Sequence, residues 1–325
     1  MKILLTGATG FVPSNLVLHF QAQGDMVVAF DRNAPETRLL HELGAGWEER
    51  VTFVQGDIRD AATIERLVAE HQPTHVVHAA AITPTLEMER ADPRQILDVN
   101  SASTISLLQA SAEHGVERFI YFSSVSVYER RDATSYVVDE DGPLHRSDRM
   151  YPLSKITGER LCHWAQAHYG LDVRIVRPGT VYGPYERPTG ARQSMSSACL
   201  AAHLALAGET LKPNAPHITQ SWIHAADVAK GVRLLLTTSD LTHDTFNLAG
   251  EPVPQERLIK AIMAPVPETQ VEWVDNEKDA NIPLSADSGR LTFDNSRIWR
   301  ETGYEPTYRI ETGIEQYVGW LKNRG

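Results

Sequence analysis

Apolar positions along this chain fall into short unbroken runs, separated by longer segments in which they recur every three or four residues. KILLTG, MVVAFD, VTFVQGD, THVVHAA, RFIYFSS and VRIVRPG are runs of the first kind. Their β-branched content and flanking turns read as strands buried on both faces, since a strand with one wet face would alternate. Helical patterns lie between them, over Pro13–Gln23, Ala61–Glu70, Pro93–His114 and Tyr151–Tyr169. Strand and helix alternating in this way imply right-handed crossovers and an α/β fold built on a doubly wound parallel sheet.

After about Gly179 the rhythm loosens. Pro and Gly become frequent, as in GPYERPTG, LKPNAPH and EPVPQE, and a helical pattern at Ala225–Leu236 is followed by a short strand at Thr245–Leu248. The expected division is residues 1–178 as the sheet domain and 179–325 mainly as a smaller, mixed α/β cap. Segments around 219–249 are expected to return to the sheet. Ligands of open α/β sheets sit at the carboxyl ends of the strands, so the cap is expected to supply substrate contacts.

Composition narrows the function classes. The chain has 325 residues, a formal net charge of −11 and 42% hydrophobic residues. That charge argues against a nucleic-acid surface, which needs a basic stripe. The two cysteines, Cys162 and Cys199, stand in no metal or redox spacing. With no leader-like start and no run long enough to span a membrane, the expected compartment is the cytoplasm.

The first run, KILLT, passes into Thr6-Gly7-Ala8-Thr9-Gly10 and then into a helical pattern. A glycine at the tight turn, and a second where backbone amides and a helix N-terminus approach phosphate, make a dinucleotide pyrophosphate site of the Rossmann type. Glycines also mark ordinary turns; the force of this pair comes from its place between first strand and first helix. MVVAF ends at Asp31, about twenty residues beyond Gly10, where an acidic side chain meets the adenosine ribose hydroxyls. Its charge repels a 2′-phosphate and favours NAD, with the adjacent Arg32 leaving NADP as the lesser alternative. Pro13 stands where a third glycine belongs. That glycine serves helix–strand packing more than phosphate contact, and proline suits a first helical turn, where its missing N–H has no partner to lose.

A second constellation follows the fifth run. Ser124 ends FIYFSS, and MYPLSK opens a long helix in which Tyr151 and Lys155, four apart, share one face. Pro152 is expected at the first helical position. A phenol ionises near ~10, too high for a base at neutral pH. A lysine ammonium and a cationic nicotinamide close by favour phenolate and make Tyr151 a usable general base, with Ser124 hydrogen-bonding the reacting oxygen. Tyr-x-x-x-Lys alone is common; after a glycine loop, an acidic strand end and a serine-ended fifth strand it points to hydride transfer.

Taken with Asp31, the segments TGATGF, GDIRD, VVHAAA, DVNSAS, FSSVSVY, YPLSK, RPGTVYGP, IHAADVA and FNLAG resemble the extended short-chain dehydrogenase/reductase family, epimerase/dehydratase type. The resemblance covers nearly the whole chain, down to closing helices in DNSRIWRETGYEPTYRIETGIEQYVGWL. It implies a cofactor held by Gly7, Thr9, Gly10, Phe11 and Val12, by Asp31 and Arg32, and by Asp57 and Ile58 beside the adenine. Ala79, Ala80 and Ala81 would line the cleft, Asn100 would support it, Tyr151 and Lys155 would reach the nicotinamide ribose, and Pro178 would shape the nicotinamide pocket. His224 and Asp227 would be structural, and the helices Pro93–His114 and Tyr151–Tyr169 resemble those that pair in a homodimer.

Departures from the family pattern bear on the substrate. Val125 and Ser126 stand where dehydratases of this type carry an Asp-Glu pair, which discounts elimination of water. Gln220, in TQSWIH, replaces the arginine that clamps a nucleotide-sugar diphosphate, and a neutral amide does not reproduce a bidentate guanidinium. Arg187 and Arg192, in PYERPTGARQS, are candidates to compensate or to bind a carboxylate; the plainer reading is solvated loop charges. Thr83, Thr85, Ser124, Ser126 and Tyr151 complete the expected substrate contacts. None of the 13 histidines forms a paired ligand motif with a nearby carboxylate, so no catalytic metal is expected.

The expected activity is NAD-dependent hydride transfer at a secondary hydroxyl or ketone of a sugar, sugar acid or polyol derivative. The alternative is a nucleotide-sugar epimerase of the UDP-glucose 4-epimerase kind. A non-catalytic dinucleotide sensor ranks third, because such a protein would be free to lose Tyr151 or Lys155.

Overall fold

The structure is a computed structural model that describes residues 1–129, 136–145, 148–285 and 291–323, without the side chain of Tyr136. Seven strands form one sheet: β1 (Lys2–Thr6), β2 (Met26–Asp31), β3 (Val51–Gln55), β4 (His75–His78), β5 (Arg118–Phe122), and further on Val173–Pro178 and Thr245–Leu248. From edge to edge the order is Thr245–Leu248, Val173–Pro178, β5, β4, β1, β2, β3, with every neighbouring pair parallel. The order reverses between β1 and β4, which opens the ligand crevice of such sheets outside their carboxyl ends. Each strand answers to an apolar run of the sequence, and the fold is the Rossmann-type α/β sheet expected.

Residues of β1 and β2 alternate between two cores. Ile3, Leu5, Val27 and Ala29 pack with Leu16, Phe20, Val228 and Val232 of the helices Phe11–Ala22 and Ala225–Thr237. Leu4, Val28 and Phe30 pack on the other face with Ile64, Leu107 and Cys162 of the helices Ala61–His71, Ser103–Glu113 and Met150–Tyr169. Burying each such side chain contributes roughly 1.5–3 kcal/mol, and two covered faces are why the runs are unbroken. A third core joins Leu211 and Trp222 to the helices Ser197–Leu206, Gln255–Met263 and Ile310–Lys322, beside a small sheet of Thr180–Tyr182, Thr219–His224 and Pro252–Pro254.

Two helix starts differ from expectation. The helices open at Phe11 and Met150, which makes Pro13 and Pro152 each the third helical residue. Pro152 is therefore not at the first position. The shift is energetically silent, because the first amide to find a partner four residues back is that of Ser14, bonded to the Gly10 carbonyl at 3.0 Å. The stretch Pro93–His114 is also not one uniform helix. A π-helical turn, Asp98–Ala102, interrupts it between Pro93–Leu97 and Ser103–Glu113. Among the described residues no helix is long and apolar enough to cross a membrane.

Candidate active site

The crevice at the strand ends is a cavity of about 430 Å³ that runs from the glycine loop to the start of the helix Met150–Tyr169. Gly7, Thr9, Gly10, Phe11, Val12, Asp31, Arg32, Asp57, Ile58, Ala79, Ala80, Ala81 and Pro178 line it at the expected cofactor positions. Thr83, Ser124, Tyr151, Lys155, Arg187 and Arg192 line it as well. Asn100 and Ser126 stand outside the wall.

At the loop end the backbone does the shaping. Gly7 has φ +73°, and a Cβ there would stand 2.8 Å from the Ala80 Cα, so only glycine lets the turn pass so close to the end of β4. The Gly10 amide closes the turn on the Gly7 carbonyl at 2.9 Å. No side chain caps the following helix, which leaves its first-turn amides available to an anion. Asp31 is fixed at both oxygens, accepting from the Thr9 amide at 3.1 Å and the Asn33 amide at 2.9 Å. Arg59 grips both oxygens of Asp57, and its hydrogen bonds hold that carboxyl down at about 2. Pro13 itself lines the cavity. It sits in the wall, where packing behind the loop was expected.

At the reacting end, side chains do the shaping. Ser124 lies just past β5 and accepts the Ser126 amide at 3.1 Å, capping the short turn Val125–Val127. That local role turns Ser126 away: its hydroxyl oxygen is buried without a hydrogen-bond partner and does not reach the cavity. Burial pushes the Tyr151 phenol up, while a hydrogen bond with Ser124, the charge of Arg192 and a hydrogen bond with Thr83 draw it back. Lys155, 2% exposed, donates to the Phe122 carbonyl at 2.7 Å, and burial pulls its ammonium down to about 8. Its Nζ is 5.9 Å from the centre of the Tyr151 ring.

Behind this wall lies a polar scaffold. Asn100, in the π-turn, accepts the Ile82 amide at 2.7 Å and donates to the Ile82 carbonyl at 2.9 Å and to the Ser154 hydroxyl at 3.0 Å. The bulge thus turns Asn100 onto the chain leaving β4 and onto the helix Met150–Tyr169, and π-turns often sit at functional sites. One turn beyond Lys155, Glu159 takes a two-pronged ion pair from Arg177 at 2.8 and 2.7 Å and a hydrogen bond from Ser123 at 2.5 Å, all buried. Arg177 also donates to the Tyr128 hydroxyl at 2.8 Å.

The loop Gly183–Ser196 crosses the cavity. Arg187 pairs with Glu36 at 2.6 Å and donates to the Thr9 carbonyl at 3.3 Å, which holds it at the dinucleotide loop and not at the expected substrate position. Arg192 pairs with Glu186 at 2.7 Å, its guanidinium 5.5 Å from the centre of the Phe11 ring. Thr85 caps the helix Leu86–Ala91 through the Met88 amide and faces no substrate space. Glu186, Met195 and Ser196 were not anticipated: the sequence shows only an irregular, charged, proline-containing loop, with no period to mark which residue turns inward. His224 and Asp227 are structural, bonded to Gln316 and to the Thr307 and Tyr308 amides. Among the described residues no three His, Cys, Asp or Glu side chains converge on a possible metal position.

A family model described as the NAD dependent epimerase/dehydratase family matches residues 3–249. The dTDP-4-dehydro-6-deoxy-D-allose reductase of Streptomyces bikiniensis is 29% identical, covering 99% of this chain and 96% of that protein. UDP-glucuronate 4-epimerase 5 of Arabidopsis thaliana is 26% identical, covering 98% of this chain and 75% of that protein. Among solved structures, DesIV, a dTDP-glucose 4,6-dehydratase from Streptomyces venezuelae with NAD and TYD bound, superposes with a TM-score of 0.81 at 26% identity, over 100% of this chain and 98% of that one.

Proposed function

The chain belongs to the NAD-dependent epimerase/dehydratase family, and we propose that it is an NAD-dependent oxidoreductase acting at a secondary hydroxyl or ketone of a sugar, sugar acid or polyol derivative. The observation that carries this reading is that Thr83, Ser124, Tyr151 and, one turn along, Lys155 line a single cavity continuous with the glycine loop.

NAD suits the residues present. Gly7 leaves bare backbone beside Ala80, the helix start is uncapped, and Asp31 offers a carboxylate to ribose hydroxyls while repelling a 2′-phosphate. Asp57 and Ile58 would flank the adenine, and Lys155 would reach the nicotinamide ribose. When bound, the nicotinamide supplies the acceptor or donor of hydride. Ser124 orients the substrate oxygen; Tyr151 takes its proton during oxidation and returns it during reduction. Asn100 acts from behind, holding Ile82 and the first turn of the catalytic helix in place.

A second reading, a nucleotide-sugar epimerase, is favoured by the names of the relatives, which concern dTDP- and UDP-sugars. Hydride taken from the sugar would then return to its other face within one turnover. Incubation of purified protein and NAD with sugars, sugar acids, polyols and nucleotide sugars separates the two. Net NADH supports the oxidoreductase, and isomer formation without it supports the epimerase. Full activity in Tyr151→Phe would overturn both.

We read residues 1–178 as the cofactor domain and 179–325 mainly as the substrate cap, with 219–249 returning to the sheet, in a cytoplasmic homodimer. Support for the dimer comes from Ile105, Leu153 and Trp164, each more than two-fifths exposed on the helices Ser103–Glu113 and Met150–Tyr169. A solution mass equal to one 36.2 kDa chain would refute it. Support for the compartment comes from Cys162 and Cys199, both buried.

A further inference from the structure

We propose that Glu159 is a positioning residue for the reacting end: by holding the ends of β5 and of the strand Val173–Pro178 against the helix Met150–Tyr169, it sets where Tyr151 and Lys155 stand relative to Ser124. This role rests on the reading of Tyr151 and Lys155 as the proton-handling pair.

Tyr151, Lys155 and Glu159 recur every fourth residue, so they follow one face of the helix. The second and third of them grip consecutive residues at the end of β5. Lys155 donates to the Phe122 carbonyl at 2.7 Å, and one turn on, Glu159 accepts the Ser123 hydroxyl at 2.5 Å. The next residue is Ser124, which lines the cavity together with Phe122, Ser123, Tyr151 and Lys155. Two contacts a turn apart fix the helix in height and rotation against the strand end, whereas one leaves it free to turn about that point. The same carboxylate takes the fork of Arg177 at 2.8 and 2.7 Å. Arg177 precedes Pro178 of the cavity wall. Its strand pairs with β5, Phe122 beside Val176, and the Ser123 amide donates to the Val176 carbonyl at 2.8 Å. Glu159 therefore stands where the helix and both strand ends meet.

For stability alone such a pair is a poor device. Glu159 and Arg177 are both buried, and a buried ion pair is often no more stabilising than apolar side chains of like volume, because both charges give up water. What apolar packing lacks is direction. Three hydrogen bonds of fixed geometry converge on this carboxylate, all from residues at the strand ends. Arg177 is itself held from behind, donating to the Tyr128 hydroxyl at 2.8 Å and the Glu140 carbonyl at 3.0 Å, so its fork does not swing. A displacement of about 1 Å at reacting groups costs up to about 10²-fold in rate, so loosening this clamp acts on kcat before it acts on the fold.

The test separates the tether from the ion pair, with turnover measured on NAD and the best substrate found among sugars, sugar acids, polyols and nucleotide sugars. Ser123→Ala cuts the hold on β5 and leaves both Arg177 bonds to Glu159. The expected kcat is about 10–100-fold lower, with KM and NAD affinity within about twofold of wild type and the urea midpoint little changed. Hydrogen exchange over residues 122–126 of the cofactor-free protein should be faster. Ser123→Thr keeps the hydroxyl and should hold kcat near wild type. Glu159→Gln still accepts from Ser123 but strands the Arg177 charge, so its midpoint should fall further than that of Ser123→Ala while its kcat falls less. An unchanged kcat in Ser123→Ala, a raised KM with kcat kept, or kcat losses that follow the urea midpoints across the variants overturns the proposal. Should the glutamine variant not fold, the alanine and threonine variants decide alone. Faster exchange in Ser123→Ala, combined with full turnover in Tyr151→Phe, would instead sink the general-base reading and leave the tether standing.

Discussion

The two ends of the cavity are built by different means. At the dinucleotide end, partners are near in sequence or on adjacent strands: Gly10 on Gly7, Asn33 on Asp31, Arg59 on Asp57, and Thr9 on Asp31 across the β1–β2 pair. At the reacting end, partners come from distant elements: Asn100 on Ile82 and Ser154, Lys155 on Phe122, Arg177 on Glu159, and Arg192 beside Thr83. The first end depends on backbone conformation and the second on buried polar side chains. Their failures should differ accordingly: one loses ligand binding with the scaffold kept, the other loses catalysis or the scaffold itself.

The largest effect expected is from Tyr151→Phe, which should lower kcat about 10²–10⁴-fold while NAD affinity stays near wild type by fluorescence titration. Equal loss of both would erase the contrast between the ends. Next comes Arg177→Met, which strands the buried Glu159 carboxylate and should destabilise the fold by about 3–5 kcal/mol in urea unfolding. Gly7→Ala should cost about 1–3 kcal/mol through its left-handed backbone and should weaken NAD binding through displacement of Ala80, both seen in one pair of melts with and without NAD. If Arg177→Met harms NAD affinity more than Gly7→Ala does, the division of labour is wrong. The smallest effect belongs to Pro13→Gly. As the third helical residue Pro13 lacks no intrahelical bond, so stability should fall by at most about 1 kcal/mol and NAD affinity should barely move.

The serine, tyrosine and lysine of the candidate site were legible because each has a local marker. Ser124 ends an unbroken apolar run, and Tyr151 and Lys155 repeat at one helical turn just after it. The π-turn at Asn100 had no such marker, because what it serves is the Ile82 peptide, which comes near only once β4 and the helix Met150–Tyr169 are packed. Arg187 and Arg192 looked alike in PYERPTGARQS; the first pairs with Glu36, outside the loop, and the second with Glu186, within it. Ser126 looked like a second substrate hydroxyl, yet the turn that Ser124 caps directs it inward.

By itself the sequence determined the parallel sheet, the glycine turn with its acidic strand end, and the Ser-Tyr-Lys set. All of these arise from periodicity, φ preference and neighbours within a few residues. Only the tertiary structure decided where the Lys155 ammonium is anchored, which acid each loop arginine pairs with, and where Asn100 directs its amide. Those outcomes rest on buried hydrogen bonds between elements far apart in the chain, and such bonds leave no period to read.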